Sequence, residues 1–321
     1  MFDQFKNSFS RDKALKEERV QNQPTSLNSK NDVPISTTQQ ICIAICNQKG
    51  GCSKTTTAIN LSSCLAEKGY RVLLIDLDAQ AHASLGLGVD IEQTEKSTYD
   101  VLINNAGLED VIQKTSVKNL DIASANVSLA DAQLELATVL GRESILRIAI
   151  HKLRLRKKYQ YTLIDCSPSL NLVTLNAIVA ADYVIIPVQT HYYSLEGMKE
   201  LFSTIDIVKE RLNFDVKILG ILATLFDKRT KVSHRVLDQI QNYFKDLVFR
   251  TPIHYNVKLC EAPIYKKPIH LYARTSQGAK DYWALTQEVI ERTLAKDPQC
   301  SQNVNHLPVS ESLGAGIETI S

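Results

Sequence analysis

Short apolar runs recur along the middle of the chain, separated by longer segments with apolar residues at helical spacing. The runs are ICIAIC (41–46), VLLIDL (72–77), YTLID (161–165), YVIIPV (183–188) and ILGILATL (218–225). Because apolar residues fill almost every position, these runs predict strands that are buried on both faces. The sequence therefore predicts an α/β fold, a mostly parallel twisted sheet with helices on both faces, which binds ligands at the carboxyl ends of its strands.

The charge balance and the cysteines exclude several classes of protein. Lys and Arg number 37 against 35 Asp and Glu, so the 321 residues carry a net charge of only +2. This excludes a protein that coats DNA through bulk positive charge, but not a local basic face.

The chain has no run of the roughly 18–20 apolar residues that span a bilayer and no secretory signal. Its seven cysteines form no C-x-x-C pair, so we expect a cytoplasmic protein without disulfides.

The ends of the chain differ in composition from its middle. Residues 1–39 are polar and rich in Ser, Asn and Gln, which predicts a flexible N-terminal extension. Residues 296–321 are similar and predict a disordered C-terminal tail. One globular domain, residues 40–295, is predicted between them.

The segment directly after the first predicted strand has the features of a phosphate-binding loop. It reads NQKGGCSKTT over residues 47–56. A glycine turn between a strand and a helix points backbone N–H groups at an anion, while Lys54 neutralises the charge and the Thr55 hydroxyl can bind Mg²⁺. The common pattern G-x-x-x-x-G-K-[ST] is not met, because Gln48 and Ser53 stand at its two glycine positions.

The loop instead matches K-G-G-x-x-K-T-T, the deviant Walker A motif, and with it the chain resembles the ParA/Soj family of partition ATPases, within the wider group that includes MinD-type proteins. The resemblance covers roughly residues 41–294 and identifies 40–295 as a P-loop ATPase domain. Ser53 departs from the family's commonest residue, glycine. The resemblance implies ATP and Mg²⁺ as cofactors, and the implied ATP-binding residues are Lys49, Gly50, Gly51, Cys52, Ser53, Lys54, Thr55 and Thr56.

The resemblance also gives a role to the extra lysine of this motif. Lys49 is implied to reach across a homodimer to the partner's nucleotide, comparable in role with an arginine finger, while Lys54 serves the nucleotide of its own subunit. Both are therefore predicted catalytic residues. ATP would hold the dimer together, and hydrolysis would release it.

Two carboxylates lie at the end of the second predicted strand. Asp76 and Asp78 are two residues apart, so both side chains lie at one edge of the sheet. The family's motif here resembles D-x-D-P-Q-G-N, and Ala79, Ala81 and His82 replace its Pro, Gly and Asn. The resemblance implies that Asp78 positions or activates the attacking water and that Asp76 belongs to the magnesium shell. The alternative is that both residues cap the next helix.

Asp165 ends the predicted strand YTLID, as a Walker B acid should. Because Mg²⁺ keeps several waters, we expect Asp165 to contact it through one of them. A buried aspartate without a partner is costly, which favours the magnesium role over a structural one.

Residues 249–275 resemble the family's C-terminal signature I-P-R-N-V-R-L-S-E-A-P, which closes over the base. The resemblance assigns an adenine contact to Asn256, the alternative being a structural turn. It further implies that Arg229 and Lys258 bind DNA without sequence choice, through phosphates. The sequence also contains a basic run, HKLRLRKK (151–158), for which we expect only a solvated helix face.

The leading hypothesis is an ATPase that dimerises with ATP, binds nonspecific DNA and partitions plasmid or chromosomal DNA with a ParB-type partner, nucleoid-associated when ATP is bound. A membrane-cycling ATPase of the MinD type would need a basic amphipathic C-terminal helix, and residues 307–321 contain no Lys or Arg. An iron–sulfur reductase on this fold would need converging cysteines. A copy-number or transcription regulator stays open as an alternative.

Overall fold

The computed structural model describes residues 40–156, 158–191 and 198–294. The predictions for the N-terminal extension (1–39) and the C-terminal tail (296–321) concern residues outside these ranges. Within them, no helix combines the length and the apolar character needed to cross a membrane.

A seven-stranded sheet runs through the described part of the chain. Its strands are β1 (Ile41–Ile45), β2 (Val72–Leu77), β3 (Ile112–Lys114), β4 (Leu120–Ala123), β5 (Tyr161–Cys166), β6 (Tyr183–Gln189) and β7 (Lys217–Thr224). They lie in the order β3-β4-β2-β5-β1-β6-β7. Every pair is parallel except β3 with β4, which is antiparallel. The predicted fold class is confirmed.

The two strands at one edge, β3 and β4, have no sequence pattern that predicts them. β3 has three residues and ends in Lys114, and β4 has four residues and includes Asp121. The two charges face each other, with Lys114 Nζ 3.0 Å from Asp121 Oδ1. Such short strands with charged side chains lack the apolar run that marks a buried strand.

The helices of the described ranges alternate with the strands. They are α1 (Lys54–Glu67), α2 (His82–Gly86), α3 (Thr98–Leu102), α4 (Ala132–Leu136), α5 (Ile145–Arg154), α6 (Leu172–Ala180), α7 (Met198–Arg211), α8 (Lys231–Phe244), α9 (Val257–Glu261), α10 (Ile269–Tyr272) and α11 (Gln277–Leu294). The helix predicted after the phosphate loop is α1, and Gly69 just beyond it has a left-handed φ of 96°. There Gly69 N donates to Ala66 O, which closes the helix.

Alternate residues of the central strands belong to two apolar cores. On β1, Ile41, Ile43 and Ile45 pack in one core with α1 and α11. Cys42 and Ala44 pack in the other with α5, α6, α7 and α8. Since both faces are covered, a central strand has no position for a polar side chain except near its end, which explains its continuous apolar sequence.

The strand register brings three carboxyl ends together. β5 lies between β1 and β2, and Asp165 is level with Ile45 on one side and with Asp76 on the other. Residues that are level on parallel neighbours point to the same face. Both carboxyls therefore face the layer of α1, the helix that begins directly after the loop.

Candidate functional site

The loop between β1 and α1 is fixed by the ends of β6 and β7. Asn47 donates from Nδ2 to Pro187 O over 2.7 Å, and its Oδ1 accepts from Lys49 N at 3.0 Å. Thr224 Oγ1 donates to Cys52 O over 3.1 Å. The loop backbone is therefore preorganised by two strands besides its own.

Positive charge and a helix N-terminus meet at this loop. Lys54 is the first residue of α1 and is only 6% exposed. Its ammonium bends back and donates to Lys49 O over 3.1 Å, so the charge lies across the loop. At Gly50 an added Cβ would meet no atom within 4 Å, which leaves the backbone open to a ligand. A lysine at the N-terminus of a 14-residue helix forms a site for an anion.

Two residues of the site hold a left-handed backbone without being glycine. Ser53 has a φ of 69° before α1, and Ala81 has a φ of 51° before α2. Both stand where the family's motifs have glycine, the residue that adopts this conformation freely. A left-handed conformation costs an L-residue roughly 1 kcal/mol. The backbone therefore keeps the conformation that glycine would adopt at both positions, and each substitution lowers the stability.

Asp76 is fully buried at the end of β2, and its carboxyl accepts three hydrogen bonds. Ser84 donates to Oδ2 from Oγ at 2.7 Å and from N at 2.9 Å, and Asp78 N donates to Oδ1 at 3.1 Å. Burial raises the pKa of Asp76 to about 6, although the Ser84 hydrogen bonds oppose the shift. Asp76 thus fixes the turn that carries Asp78 and anchors α2 through Ser84.

Asp165 is fully buried at the end of β5, and neither carboxyl oxygen has a hydrogen-bond partner among the described residues. Burial, and then the charge of Asp76, raises the pKa of Asp165 well above the usual range, while the nearby Thr55 hydroxyl and Lys54 ammonium oppose the shift. A buried carboxyl without partners costs free energy unless a cation pairs with it. Its oxygens and the Thr55 hydroxyl are donors that Mg²⁺ prefers, so these residues fit a magnesium site.

Asp78 lies half-buried on the turn after β2. Its Oδ1 accepts from Gln80 N at 3.0 Å, and its carbonyl accepts from Ala81 N at 2.8 Å. The fold thus gathers the predicted loop lysines, Thr55 and the three aspartates at the carboxyl edge of β1, β5 and β2. Their roles in binding and catalysis stay predictions.

The segment predicted to contact the base is fixed to α1 and α11. Asn256 is the N-cap of α9, where its Oδ1 accepts from Lys258 N at 2.9 Å. Ile269 N donates to Asn60 Oδ1 of α1 over 2.7 Å. On α11, Asp281 Oδ2 accepts from His254 N at 2.9 Å. The structural role of Asn256 is thereby clear, and its contact with adenine stays a prediction.

The two predicted DNA contacts lie on adjoining segments. Phe226 N donates to Ile253 O and Tyr255 N donates to Phe226 O, both over 3.0 Å. These bonds join the loop that carries Arg229 to the segment that leads into Lys258. Both side chains are exposed, at 76% and 52% respectively.

Each of these cations is paired with a carboxylate close in sequence. Arg229 donates from Nε and Nη2 to Asp227 at 2.9 and 2.8 Å. Lys258 Nζ donates to Glu261 Oε2 at 2.8 Å. The hydrogen bonds from Arg229 lower the pKa of Asp227 to about 2. A phosphate would therefore have to compete with these carboxylates.

The basic run 151–158 differs from these cations in its surroundings. Its described ion pairs join Arg154 to Asp182, Arg156 to Glu109 and Lys158 to Asp121. The partners lie far away in sequence, so the cations tie helix α5 and the following turn to the rest of the fold. That this run takes no part in DNA binding stays a prediction.

Sequence reasoning missed three residues that shape the site. Asn47 and Thr224 hold the loop, and Ser84 holds Asp76. Asn47 had a local signal, because Asn directly after a buried strand favours a side-chain-stabilised turn. Thr224 and Ser84 act across 172 and 8 residues of sequence, so no local pattern marks them.

These features define an α/β protein of the P-loop class. A family model described as an AAA domain matches residues 40–218. The sporulation initiation inhibitor protein Soj of Bacillus subtilis is 46% identical over 247 residues, which cover 77% of this chain and 97% of Soj. The chromosome partitioning protein ParA of Myxococcus xanthus is 43% identical over 257 residues, 80% of this chain and 90% of ParA. The chain belongs to the ParA/Soj family of partition ATPases.

Solved structures show the same fold. A Mycobacterium smegmatis protein described as cobyrinic acid a,c-diamide synthase, with bound ADP and magnesium, has a TM-score of 0.71 at 31% identity, covering 81% of this chain and 97% of that chain. The septum site-determining protein MinD of Pyrococcus horikoshii, complexed with Mg-ADP, has a TM-score of 0.65 at 26% identity, covering 81% and 100%.

We predict that glycine at position 53 stabilises the protein, because it relieves the left-handed strain. Ser53→Gly should raise the free energy of unfolding by about 0.5–1 kcal/mol, measured by urea unfolding without nucleotide. Ala81→Gly is the matched control, since it relieves similar strain but removes a fully buried methyl worth about 0.8 kcal/mol, and should change stability little. If the Ser53→Gly protein is less stable than the wild type, the interpretation that Ser53 is strained is wrong.

We also predict that the ligand-free protein gains stability when Asp165 loses its charge. Asp165→Asn should raise the free energy of unfolding by about 1–3 kcal/mol at neutral pH. Burial raises the pKa of this carboxyl, and Asn removes the cost of keeping the group ionised, or of protonating it, inside the protein. Asp182→Asn is the control: this carboxylate pairs with Arg154 and accepts from Cys42 N at 2.7 Å, so its loss should destabilise. Destabilisation by both variants would show that Asp165 has a stabilising partner.

Proposed function

We propose that this chain is a Mg²⁺-dependent ATPase that dimerises with ATP, binds DNA without sequence choice, and partitions plasmid or chromosomal DNA with a ParB-type partner. The observation that carries the proposal is the buried, unpartnered carboxylate of Asp165 beside a loop that holds Lys54 across its backbone. The name of the ParA relative, a chromosome partitioning protein, supports the partition role. The ADP and magnesium of the similar solved structures support the cofactors.

In this proposal the phosphates lie on the backbone of residues 50–53 and the N-terminus of α1. Lys54 exchanges its hydrogen bond to Lys49 O for a phosphate oxygen. Thr55 and Asp165 hold Mg²⁺, which shields the phosphate charge when bound. Asp76 already accepts three hydrogen bonds, so its part is to fix the turn of Asp78 at the edge of the magnesium shell.

Asp78 is the residue that would orient the attacking water. It lies on a turn fixed at both ends, by its own N–H to Asp76 and by Ala81 N to its carbonyl. Lys49 is half-buried on the same loop as Lys54, and we assign it to the partner's nucleotide. Hydrolysis then removes the group that holds two subunits together.

Arg229 and Lys258 would supply the grip on DNA. Contacts with phosphates release counterions and need charge rather than base-edge geometry. An ATP dimer doubles each cation, so two weak sites become one stronger surface. A nearly neutral chain can in this way bind DNA only in its ATP state and join the nucleoid only then.

The positioning-ATPase alternative has support from the MinD structure at 26% identity. The ParA relative, which is named for chromosome partitioning, is 43% identical over 90% of its length. This difference favours partition. Residues 307–321, where a membrane-binding helix would be sought, lie outside the described ranges.

Replacing the two loop lysines should cause different defects, one in nucleotide binding and the other in dimerisation. Lys54→Ala should abolish binding of a fluorescent ATP analogue, because it removes the charge in the subunit's own site. Lys49→Ala should keep monomer binding within about threefold yet lose the ATP-dependent dimer seen by light scattering. A Lys49→Ala protein that still dimerises with ATP would reject the role in trans.

Arg229→Ala with Lys258→Ala should weaken DNA binding and leave ATP-dependent dimerisation intact. We expect the slope of log K against log salt to become shallower by about three to four, since a dimer loses four phosphate contacts. The measurement is a titration of nonspecific duplex with ATP, ADP or no nucleotide at several salt concentrations. Arg156→Ala with Lys158→Ala is the control of equal charge, and an equal loss there would reject the placed site.

A further inference from the structure

Lys258 is held by a carboxylate and a tyrosine on the face where DNA is proposed to bind. Glu261 Oε2 accepts from Lys258 Nζ at 2.8 Å and from Tyr272 Oη at 2.6 Å. The Lys258 ammonium also lies 5.7 Å from the centre of the Tyr272 ring. Tyr265 stacks on that ring at 4.9 Å between centres, which fixes its position. The Glu261 carboxylate therefore occupies the position beside the Lys258 ammonium where a DNA phosphate would bind.

The charge state of this cluster favours competition with a phosphate. The hydrogen bonds from Lys258 and Tyr272 lower the pKa of Glu261, so it is ionised at neutral pH. Its side chain is 33% exposed and that of Lys258 is 52% exposed, and such an exposed ion pair is weak enough to exchange. When Lys258 turns to another anion, Glu261 keeps its hydrogen bond from Tyr272. The exchange therefore leaves no group without a partner.

We propose that Glu261 and Tyr272 form a latch that holds Lys258 and competes with DNA phosphate for its ammonium. This inference rests on the proposed DNA binding and adds the residues that limit its strength. Each subunit of the dimer must break this ion pair to engage DNA, in addition to the pair of Arg229 with Asp227. The latch lowers the affinity below what the cations alone would give, and it recaptures Lys258 when DNA leaves.

Glu261→Gln tests the latch, because it keeps the size of the side chain and its acceptor for Tyr272 but removes the charge. We expect about a three- to thirtyfold gain in affinity for nonspecific duplex in the presence of ATP, from two weak ion pairs per dimer. Tyr272→Phe should act in the opposite direction, about two- to fivefold weaker, because Glu261 then gives up a principal partner when Lys258 leaves. Structural damage would instead move both variants the same way.

The matched control is Glu291→Gln, which removes one exposed carboxylate from the pair with Arg250. It should change DNA affinity less than twofold, which separates the latch from a general change in net charge. Affinities are compared at protein concentrations where each variant is dimeric. If the wild type binds DNA with ATP and Glu261→Gln binds no more tightly, the latch is wrong and the proposed function stands. If the wild type does not bind DNA with ATP, both are wrong.

Discussion

The site is organised around the carboxyl of Asp165, which is buried at the end of β5 and accepts no hydrogen bond from the described residues. Two independent properties of the fold create it: the register that sets Asp165 level with Asp76, and the helix α1 that covers both. In the ligand-free chain this arrangement costs free energy. The Lys54 ammonium and the Thr55 hydroxyl reduce this cost but leave the pKa of Asp165 raised, and our account places Mg²⁺ between the sheet edge and the phosphate loop, where it would offset the rest.

The two ends of the proposed cycle use charge in opposite ways. At the nucleotide end, Lys54 and Asp165 are buried, so their interactions are strong and specific. At the DNA end, Arg229 and Lys258 are exposed and paired with Asp227 and Glu261, so their interactions are weak and salt-sensitive. Strong binding of the nucleotide can in this way control a surface from which DNA dissociates easily.

Much of this was predictable because it is local. The bounds of β2, the loop with its two lysines and the aspartates at strand ends all follow from short runs of sequence. The remaining features depend on tertiary contacts. The edge strands β3 and β4 lack an apolar pattern, the brace from Thr224 to the loop spans 172 residues, and the left-handed backbone at Ser53 is imposed by the loop against the preference of serine. The pairs of Arg229 with Asp227 and of Lys258 with Glu261 are local, but only the structure shows that each carboxylate faces its cation.

The central claim is that Asp165 holds the magnesium that accompanies ATP. Calorimetric titration of ATP into the wild type and into Asp165→Asn, each with and without Mg²⁺, tests it most directly. We predict that the wild type binds ATP more tightly with Mg²⁺ and that the variant loses about 10–100-fold of that gain while still binding ATP through its loop. A variant that keeps the full effect of Mg²⁺ would contradict the account.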